Sequence, residues 1–123
     1  MARKLLFVLF TDEPCKRNHA FMYAIALHRQ GHAVRLILEG LATRSFAALG
    51  EQGSSFAALF QEAKALGLVA GACRKAASGC ASNDPARQVS DLVQEQGVAL
   101  LDGMNGHADI EPLVREGYEL VVF

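Results

Sequence analysis

Short apolar runs alternate with amphipathic segments along this chain of 123 residues. The apolar runs predict five strands: Leu5–Phe10, Ala33–Leu38, Leu68–Cys73, Val98–Leu101 and Tyr118–Phe123. A helical segment that ends at a glycine precedes each of the last four strands. Continuous apolar runs are typical of strands that are covered on both faces. The chain is therefore predicted to form one α/β domain, residues 1–123, in which a parallel five-stranded sheet lies between helices as a three-layer sandwich.

The segments between the strands carry the helical period of 3.6 residues. They predict a helix around residues 21–28, a second over residues 56–66, a third that starts at Asp84-Pro85 and a short last helix from Asp109. Residues 41–53, which contain two glycines, predict a looser segment with room for a helical turn.

Composition and charge exclude several classes of protein. Hydrophobic residues make up 51% of the chain and charged residues 20%, as in compact globular proteins. The net charge is −1 and no run of five or six like charges occurs, which argues against a nucleic-acid partner or an anionic membrane surface. The apolar start is too short for a secretory signal, and no run approaches a membrane span. A cytoplasmic location with reduced thiols is expected.

Chemically capable side chains follow the predicted strands. In parallel α/β sheets, ligands bind beyond the carboxyl ends of the strands. The loops at this edge carry Cys15 and His19, Glu39, Cys73 with Arg74 and Lys75, and Asn105 with His107. The first strand is followed by neither a dinucleotide fingerprint nor a P-loop, so no nucleotide is expected there, and nothing indicates another cofactor.

Cys73 is the leading candidate because it ends an apolar strand and begins a segment with two cations. Helix-start N–H groups, together with Arg74 and Lys75, are predicted to lower the pKa of its thiol and make it a nucleophile. The alternative is a small buried hydrophobic residue at the end of a core strand. Cys80 is interpreted as incidental, because Ser78-Gly79 interrupts the helix and a resolving cysteine usually stands in a Cys-x-x-Cys motif.

Cys15 and His19 stand four residues apart, so a helical turn presents the thiol and the imidazole on the same side. With Cys73 and His107 they can complete a tetrahedral zinc site. The simpler interpretation is a loop cysteine and a histidine near a helix start, because the usual pairs of closely spaced zinc ligands are missing.

Three further residues leave alternatives open. Glu39 is either solvated at the end of its strand or directed into the cleft, where it orients a ligand or receives a proton. Asn105 and His107 either bind a polar or sulfur-bearing group or belong to a tight turn that needs glycine and asparagine.

Five segments together resemble the DsrE/DsrF-like proteins, and they cover nearly the whole chain: residues 4–19, 28–40, 67–77, 100–107 with Asp102-Gly-Met-Asn-Gly-His107, and 116–123. The resemblance implies a sheet ordered 4-3-2-1-5 and assembly into homotrimers or homohexamers. In that order the loops of Glu39 and residues 102–107 flank Cys73, whereas Cys15 lies two strands away, roughly 10 Å. The apolar content also favours self-association, with Phe46 and Phe56 bordering a candidate surface.

The resemblance further implies that Cys73 holds a persulfide for relay between donor and acceptor proteins, as in a sulfurtransferase. Related proteins often carry Cys-x-x-Cys at the third strand, whereas Ala76 occupies the second position here, which leaves a single-thiol carrier. The other candidate residues would stabilise the persulfide or shape access to it: Glu39, Arg74, Lys75, Asn105, His107, Cys15 and His19. Two alternatives remain, a small-ligand or metal-binding module that uses the two Cys/His pairs, and an oligomeric regulatory protein with inert cysteines.

Overall fold

A computed structural model describes residues 2–79 and 88–123. The strands are β1 (Lys4–Leu9), β2 (Ala33–Leu38), β3 (Val69–Cys73), β4 (Leu100–Leu101) and β5 (Glu119–Val122). The helices are α1 (Pro14–Arg29), α2 (Ser55–Ala65), α3 (Arg74–Gly79), α4 (Val89–Glu95) and α5 (Glu111–Arg115). A 3-10 helix, Gly40–Gly50, forms where a looser segment was predicted. The predicted helix start at Asp84-Pro85 and the interpretation of Cys80 fall outside the described residues.

All strand pairs are parallel and the sheet order is β4-β3-β2-β1-β5, which confirms the predicted α/β sandwich and its strand order. The chain steps in one direction from β1 to β4, so right-handed crossovers put α1, α2, α3 and α4 on one face. The step from β4 back across the sheet to β5 reverses the direction. The same handedness therefore puts α5 on the opposite face, and three layers result.

The face covered by α1, α2 and the 3-10 helix holds the larger core. Its centre is a group of aromatic rings, in which Phe21 contacts Phe56 edge to face with centroids 5.1 Å apart and Phe46 contacts Phe60 at 5.4 Å. Phe46 and Phe56 are only 3% and 1% exposed. The prediction that these two residues border a self-association surface is therefore wrong, because both side chains fill the core beneath the helices.

The opposite face has a thinner cover. Leu6, Val8 and Ile37 of the sheet contact the β4–α5 loop, residues 102–110, and α5. Because α5 is only five residues long, the carboxyl end of this face next to β5 stays uncovered. Three apolar side chains are exposed there, and we call them the open apolar face: Phe10 (49% exposed), Leu120 (46%) and Val122 (58%).

Within the described residues, no helix is long and apolar enough to cross a membrane.

Candidate functional site

The chain connections locate a crevice between β3 and β4. After β3 the chain continues to the face of α4, and after β4 it continues to the face of α5. Ligands in open α/β sheets bind at such a switch point, outside the carboxyl ends of the two strands. Cys73 is the last residue of β3, and the β4–α5 loop begins at Asp102. The N–H of Lys75 donates to the carbonyl of Gly106 at 3.0 Å and ties the two sides together.

Cys73 lies at the inner end of this crevice and has no exposed surface. Its Sγ lies 3.7 Å from Nδ1 of His107. A carboxylate oxygen of Glu39 lies within 4.8 Å of both atoms, and the backbone N–H groups of Ala76 and Ala108 also act on the pKa of the thiol. Three elements thus contribute to one small site: the end of β2, the end of β3 and the β4–α5 loop.

The environment raises the pKa of the Cys73 thiol above its ordinary value. Burial is the largest cause, because it disfavours the thiolate, and the hydrogen bond to the Glu39 carboxylate and its negative charge act in the same direction. The N–H groups of Ala76 and Ala108 oppose the rise without cancelling it. The prediction of a lowered pKa is therefore wrong, and the resting site holds a protonated thiol.

The two cations next to Cys73 are directed elsewhere. Nε of Arg74 lies 3.0 Å from the Asp102 carboxylate, and both side chains are about half exposed. The side chain of Lys75 is also exposed, beside Gly106. Neither cation is among the causes of the pKa shift of Cys73. In the resting protein they form part of the rim of the crevice and do not contact the sulfur.

The β4–α5 loop combines the two interpretations that its sequence left open. It is a tight turn, in which Met104 and His107 exchange backbone hydrogen bonds of 3.0 and 2.9 Å. Asn105 is exposed and has a φ of 52°, a left-handed conformation that asparagine tolerates. The turn returns the chain so that the His107 ring faces Cys73. Asn105 thus serves the turn, and His107 belongs to the site.

Cys15 and His19 form a separate pair at the start of α1. The Glu13 carboxylate caps this helix by accepting the N–H groups of Cys15 and Lys16, and these hydrogen bonds hold its pKa below the ordinary value. Sγ of Cys15 lies 3.6 Å from Nδ1 of His19, which itself lies 2.7 Å from the Cys15 carbonyl oxygen. Both residues are exposed and border the end of β5. They do not join the group around Cys73.

One group of potential metal ligands with three members occurs in the described part of the chain: Glu39, Cys73 and His107. One ligand atom from each residue lies within 4.8 Å of the others. The predicted set of two Cys/His pairs is thus not assembled, and a carboxylate stands beside the second pair instead.

A cavity of about 610 Å³ opens beside this group. Glu39 and His107 are the polar members of its wall, and the remaining lining is apolar: Val8, Phe10, Ile37, Met104, Ala108, Ile110, Leu120 and Val122. Its volume is in the range of pockets that hold small organic molecules. The site can therefore receive an apolar ligand whose reactive end meets Glu39, His107 and the sulfur behind them.

The sequence did not indicate two parts of this site. The N–H donors of Ala76 and Ala108 are backbone groups, and no residue type signals them. The cavity exists because the short helix α5 covers only part of one face of the sheet. The sequence of β5 could have indicated it, because apolar residues occur on both faces of this strand. Leu120 and Val122 share a face that α5 does not reach, and they complete the cavity wall.

Comparisons with known proteins place a curated archaeal sequence beside this chain. No protein-family model and no solved structure gives a significant match. A protein of Archaeoglobus fulgidus, described as an uncharacterized protein, is 44% identical over 43 residues, which are 35% of this chain and 70% of the archaeal protein. The chain therefore belongs to the same family as this archaeal protein.

Proposed function

We propose that this chain is a sulfur carrier, in which Cys73 accepts a sulfane sulfur, holds it as a persulfide and passes it to a partner. The observation that carries the proposal is the contact of one thiol with a carboxylate and an imidazole at the inner end of an open crevice. The resemblance to DsrE/DsrF-like proteins supports the same role for Cys73. Activity of this kind is that of a sulfurtransferase.

The proposed loading step begins with the protonated thiol. Cys73 gives its S–H proton to the Glu39 carboxylate, and the thiolate attacks the outer sulfur of a donor persulfide. The donor S–S bond breaks as the new S–S bond on Cys73 forms, and the donor leaves as a thiolate that takes up a proton from the Glu39 carboxyl or from His107. The N–H groups of Ala76 and Ala108 then stabilise the charged form of the site.

Burial of the thiol suits a carrier that must keep its sulfur from random acceptors. A raised pKa keeps the empty site largely in the unreactive thiol form. The cavity beside Glu39 and His107 gives a donor a route to this end of the crevice. Ala76 stands where a second cysteine would form a disulfide with Cys73, and this supports a single-thiol carrier over a dithiol that cycles.

Incubation with a low-mass persulfide, followed by intact and peptide mass spectrometry, tests the proposal. We expect one added sulfur on the Cys73 peptide, both in the wild type and in a Cys15→Ser/Cys80→Ser variant that retains Cys73 alone. Cys73→Ala removes the signal. Sulfur on another cysteine with Cys73 unmodified, or wild-type loading of Cys73→Ala, would contradict the proposal.

We also propose that the carrier works as a homo-oligomer, a trimer or a hexamer, in the cytoplasm, with protein donors and acceptors of sulfur. The open apolar face supports self-association, because Phe10, Leu120 and Val122 gain by burial and β5 has one unpaired edge. A second copy seated on this face would also close the cavity, whose wall includes all three residues.

The competing function is an oligomeric regulatory protein with inert cysteines, and complete burial of Cys73 favours it. Labelling of the native protein with a thiol reagent separates the two. A carrier labels at Cys73 faster in Glu39→Gln than in the wild type, because the carboxylate no longer disfavours the thiolate. An inert core cysteine labels only as fast as the protein unfolds, in both variants.

A further inference from the structure

We infer that Glu39, Cys73 and His107 form a binding site for a divalent transition-metal ion of the Zn²⁺ type, with a fourth coordination position open to the cavity. The inference goes beyond sulfur transfer and does not depend on it. The three ligands are a carboxylate oxygen, a thiol sulfur and an imidazole nitrogen, and each comes from a different element of the sheet edge.

The spacing of the ligand atoms fits such an ion. Zn²⁺ binds sulfur at about 2.3 Å and nitrogen at about 2.0–2.1 Å, so tetrahedral angles put these two atoms about 3.6 Å apart. Sγ of Cys73 and Nδ1 of His107 are 3.7 Å apart. The third ligand atom, from Glu39, lies no more than 4.8 Å from the other two. Tetrahedral coordination puts a carboxylate oxygen about 3.4–3.6 Å from the other two ligand atoms, so side-chain rotations must close a difference of at most about 1.4 Å.

The charges of the site also favour a cation. A carboxylate lies beside a fully buried thiol, and Arg74, the basic residue next to Cys73 in the sequence, pairs with Asp102 outside the group. A divalent ion stabilises the thiolate and the carboxylate together.

A hydrogen bond from the surroundings holds one of the ligands in place. The N–H of Gly40 donates to the Glu39 carboxylate at 2.9 Å. Supporting contacts of this kind orient the ligands of metal sites and tune their affinity. A backbone donor therefore orients the Glu39 ligand.

The donor set selects the class of metal. A thiolate and an imidazole suit Zn²⁺ and other borderline or soft ions, whereas Mg²⁺ and Ca²⁺ require oxygen ligands. Three protein ligands with an open fourth position are typical of zinc sites that bind a water molecule or a substrate. Here the open position faces the wall of the cavity that Glu39 and His107 share. A small ligand with a thiol or carboxylate end can enter and complete the coordination.

The Cys15 and His19 pair is a natural internal control. Its sulfur and nitrogen are 3.6 Å apart, nearly the same as in the proposed site. It is exposed, however, and has no third ligand within the described residues. If spacing alone produced metal affinity, both pairs would bind equally. The proposal requires that only the group with Glu39 does.

Titration of the reduced, chelator-treated protein with Co²⁺ tests the site, because sulfur-to-cobalt charge transfer in the near ultraviolet reports a thiolate ligand. We expect one equivalent of Co²⁺ per chain in the Cys15→Ser/Cys80→Ser variant, with displacement by Zn²⁺. In that background Cys73→Ser abolishes the band. Glu39→Gln and His107→Gln each weaken binding at least tenfold, and far-ultraviolet circular dichroism checks that every variant is folded.

A Cys15→Ser/Cys80→Ser protein without the band, or equal affinity in Glu39→Gln, would overturn the inference. Should Cys73→Ser not fold, the Glu39→Gln and His107→Gln variants carry the test alone, since both side chains reach the cavity surface. No sulfur donor is present in this experiment. Loss of metal binding with intact persulfide loading refutes only the metal site, and the reverse result refutes only the sulfur carrier.

Discussion

Gly71 sets the spacing between β3 and β4, and its replacement by alanine tests whether that spacing holds the candidate site together. An added Cβ would lie 2.6 Å from Cγ of Leu101 and 2.8 Å from the carbonyl oxygen of Ala99. The same carbonyl accepts the N–H of Ala72 at 2.9 Å in the β3–β4 ladder. Carbon atoms attract best at about 3.5–4.0 Å, so the methyl group must displace β4 by on the order of 1 Å.

The expected cost follows from these contacts. Overpacking costs about 1–3 kcal/mol, and the upper part of this range applies because a backbone oxygen cannot rotate away. Replacing glycine also restricts the unfolded chain, which returns about 0.4–1 kcal/mol. The net loss for Gly71→Ala is therefore about 2 kcal/mol. An unfolding entropy of about 2.1 cal/mol/K per residue over 123 residues converts this loss to a fall in Tm of about 8 °C.

Thermal unfolding and Co²⁺ titration measure the two consequences together. β4 leads directly into the loop that carries His107, so its displacement lengthens the 3.7 Å separation from Cys73 and weakens Co²⁺ binding at least tenfold. Gly50→Ala is the matched control, because an added Cβ there meets no atom within 4 Å. It is expected to unfold at or above the wild-type Tm. A Gly71→Ala protein with the Tm and Co²⁺ affinity of the wild type would refute the proposed role of strand spacing.

Four further results are expected. In metal-free protein the free energy of unfolding decreases as the pH rises above the ordinary thiol pKa of about 8.5, because the folded state keeps the Cys73 proton to a higher pH than the unfolded state does. Urea unfolding at several pH values measures this decrease, and Cys73→Ala is expected to remove it. Glu39→Gln lowers the pKa of Cys73, so iodoacetamide labels it faster at neutral pH, and slower labelling would contradict the assigned hydrogen bond. Arg74→Ala changes the free energy of unfolding by less than about 1 kcal/mol and leaves the labelling rate of Cys73 unchanged, since the ion pair with Asp102 is exposed. A marked fall in that rate would show that Arg74 stabilises the thiolate. Val122→Glu lowers the assembled mass in light scattering while Tm stays within a few degrees, and an unchanged oligomer would exclude the open apolar face as the interface.

The fold was largely predictable because its signals are local. Apolar runs bounded by glycine fixed the strands, and β2 begins and ends where the pattern predicted. The strand order came from the resemblance, since periodicity alone does not order a parallel sheet. The prediction for residues 41–53 allowed a helical turn but not a 3-10 helix of 11 residues, whose side chains Ala42 and Phe46 are buried. Its length depends on packing beneath α2 and α4, which no local pattern shows.

The site was predictable in its members but not in its chemistry. Strand ends and sheet order bring Glu39, Cys73 and His107 together, as expected from the sequence and the resemblance. The sign of the pKa shift was not predictable, because Arg74 and Lys75 follow Cys73 in sequence but point away from it in space. The carboxylate that matters belongs to the neighbouring strand. The cations next to Cys73 in the sequence predicted a stabilised thiolate, whereas the carboxylate of Glu39 on the neighbouring strand disfavours it.

The two proposed roles of Cys73 compete for the same atom. A metal ion and a sulfane sulfur both bind through the Sγ lone pairs, and both require the thiol proton to leave. Glu39 accepts that proton in the loading step and supplies a ligand in the metal site, so it cannot do both at once. Saturating Zn²⁺ is therefore expected to block persulfide loading, and a chelator restores it. Because the raised pKa makes the empty site unreactive, the identity of the first cation or donor to enter the cavity decides which chemistry the thiol carries out.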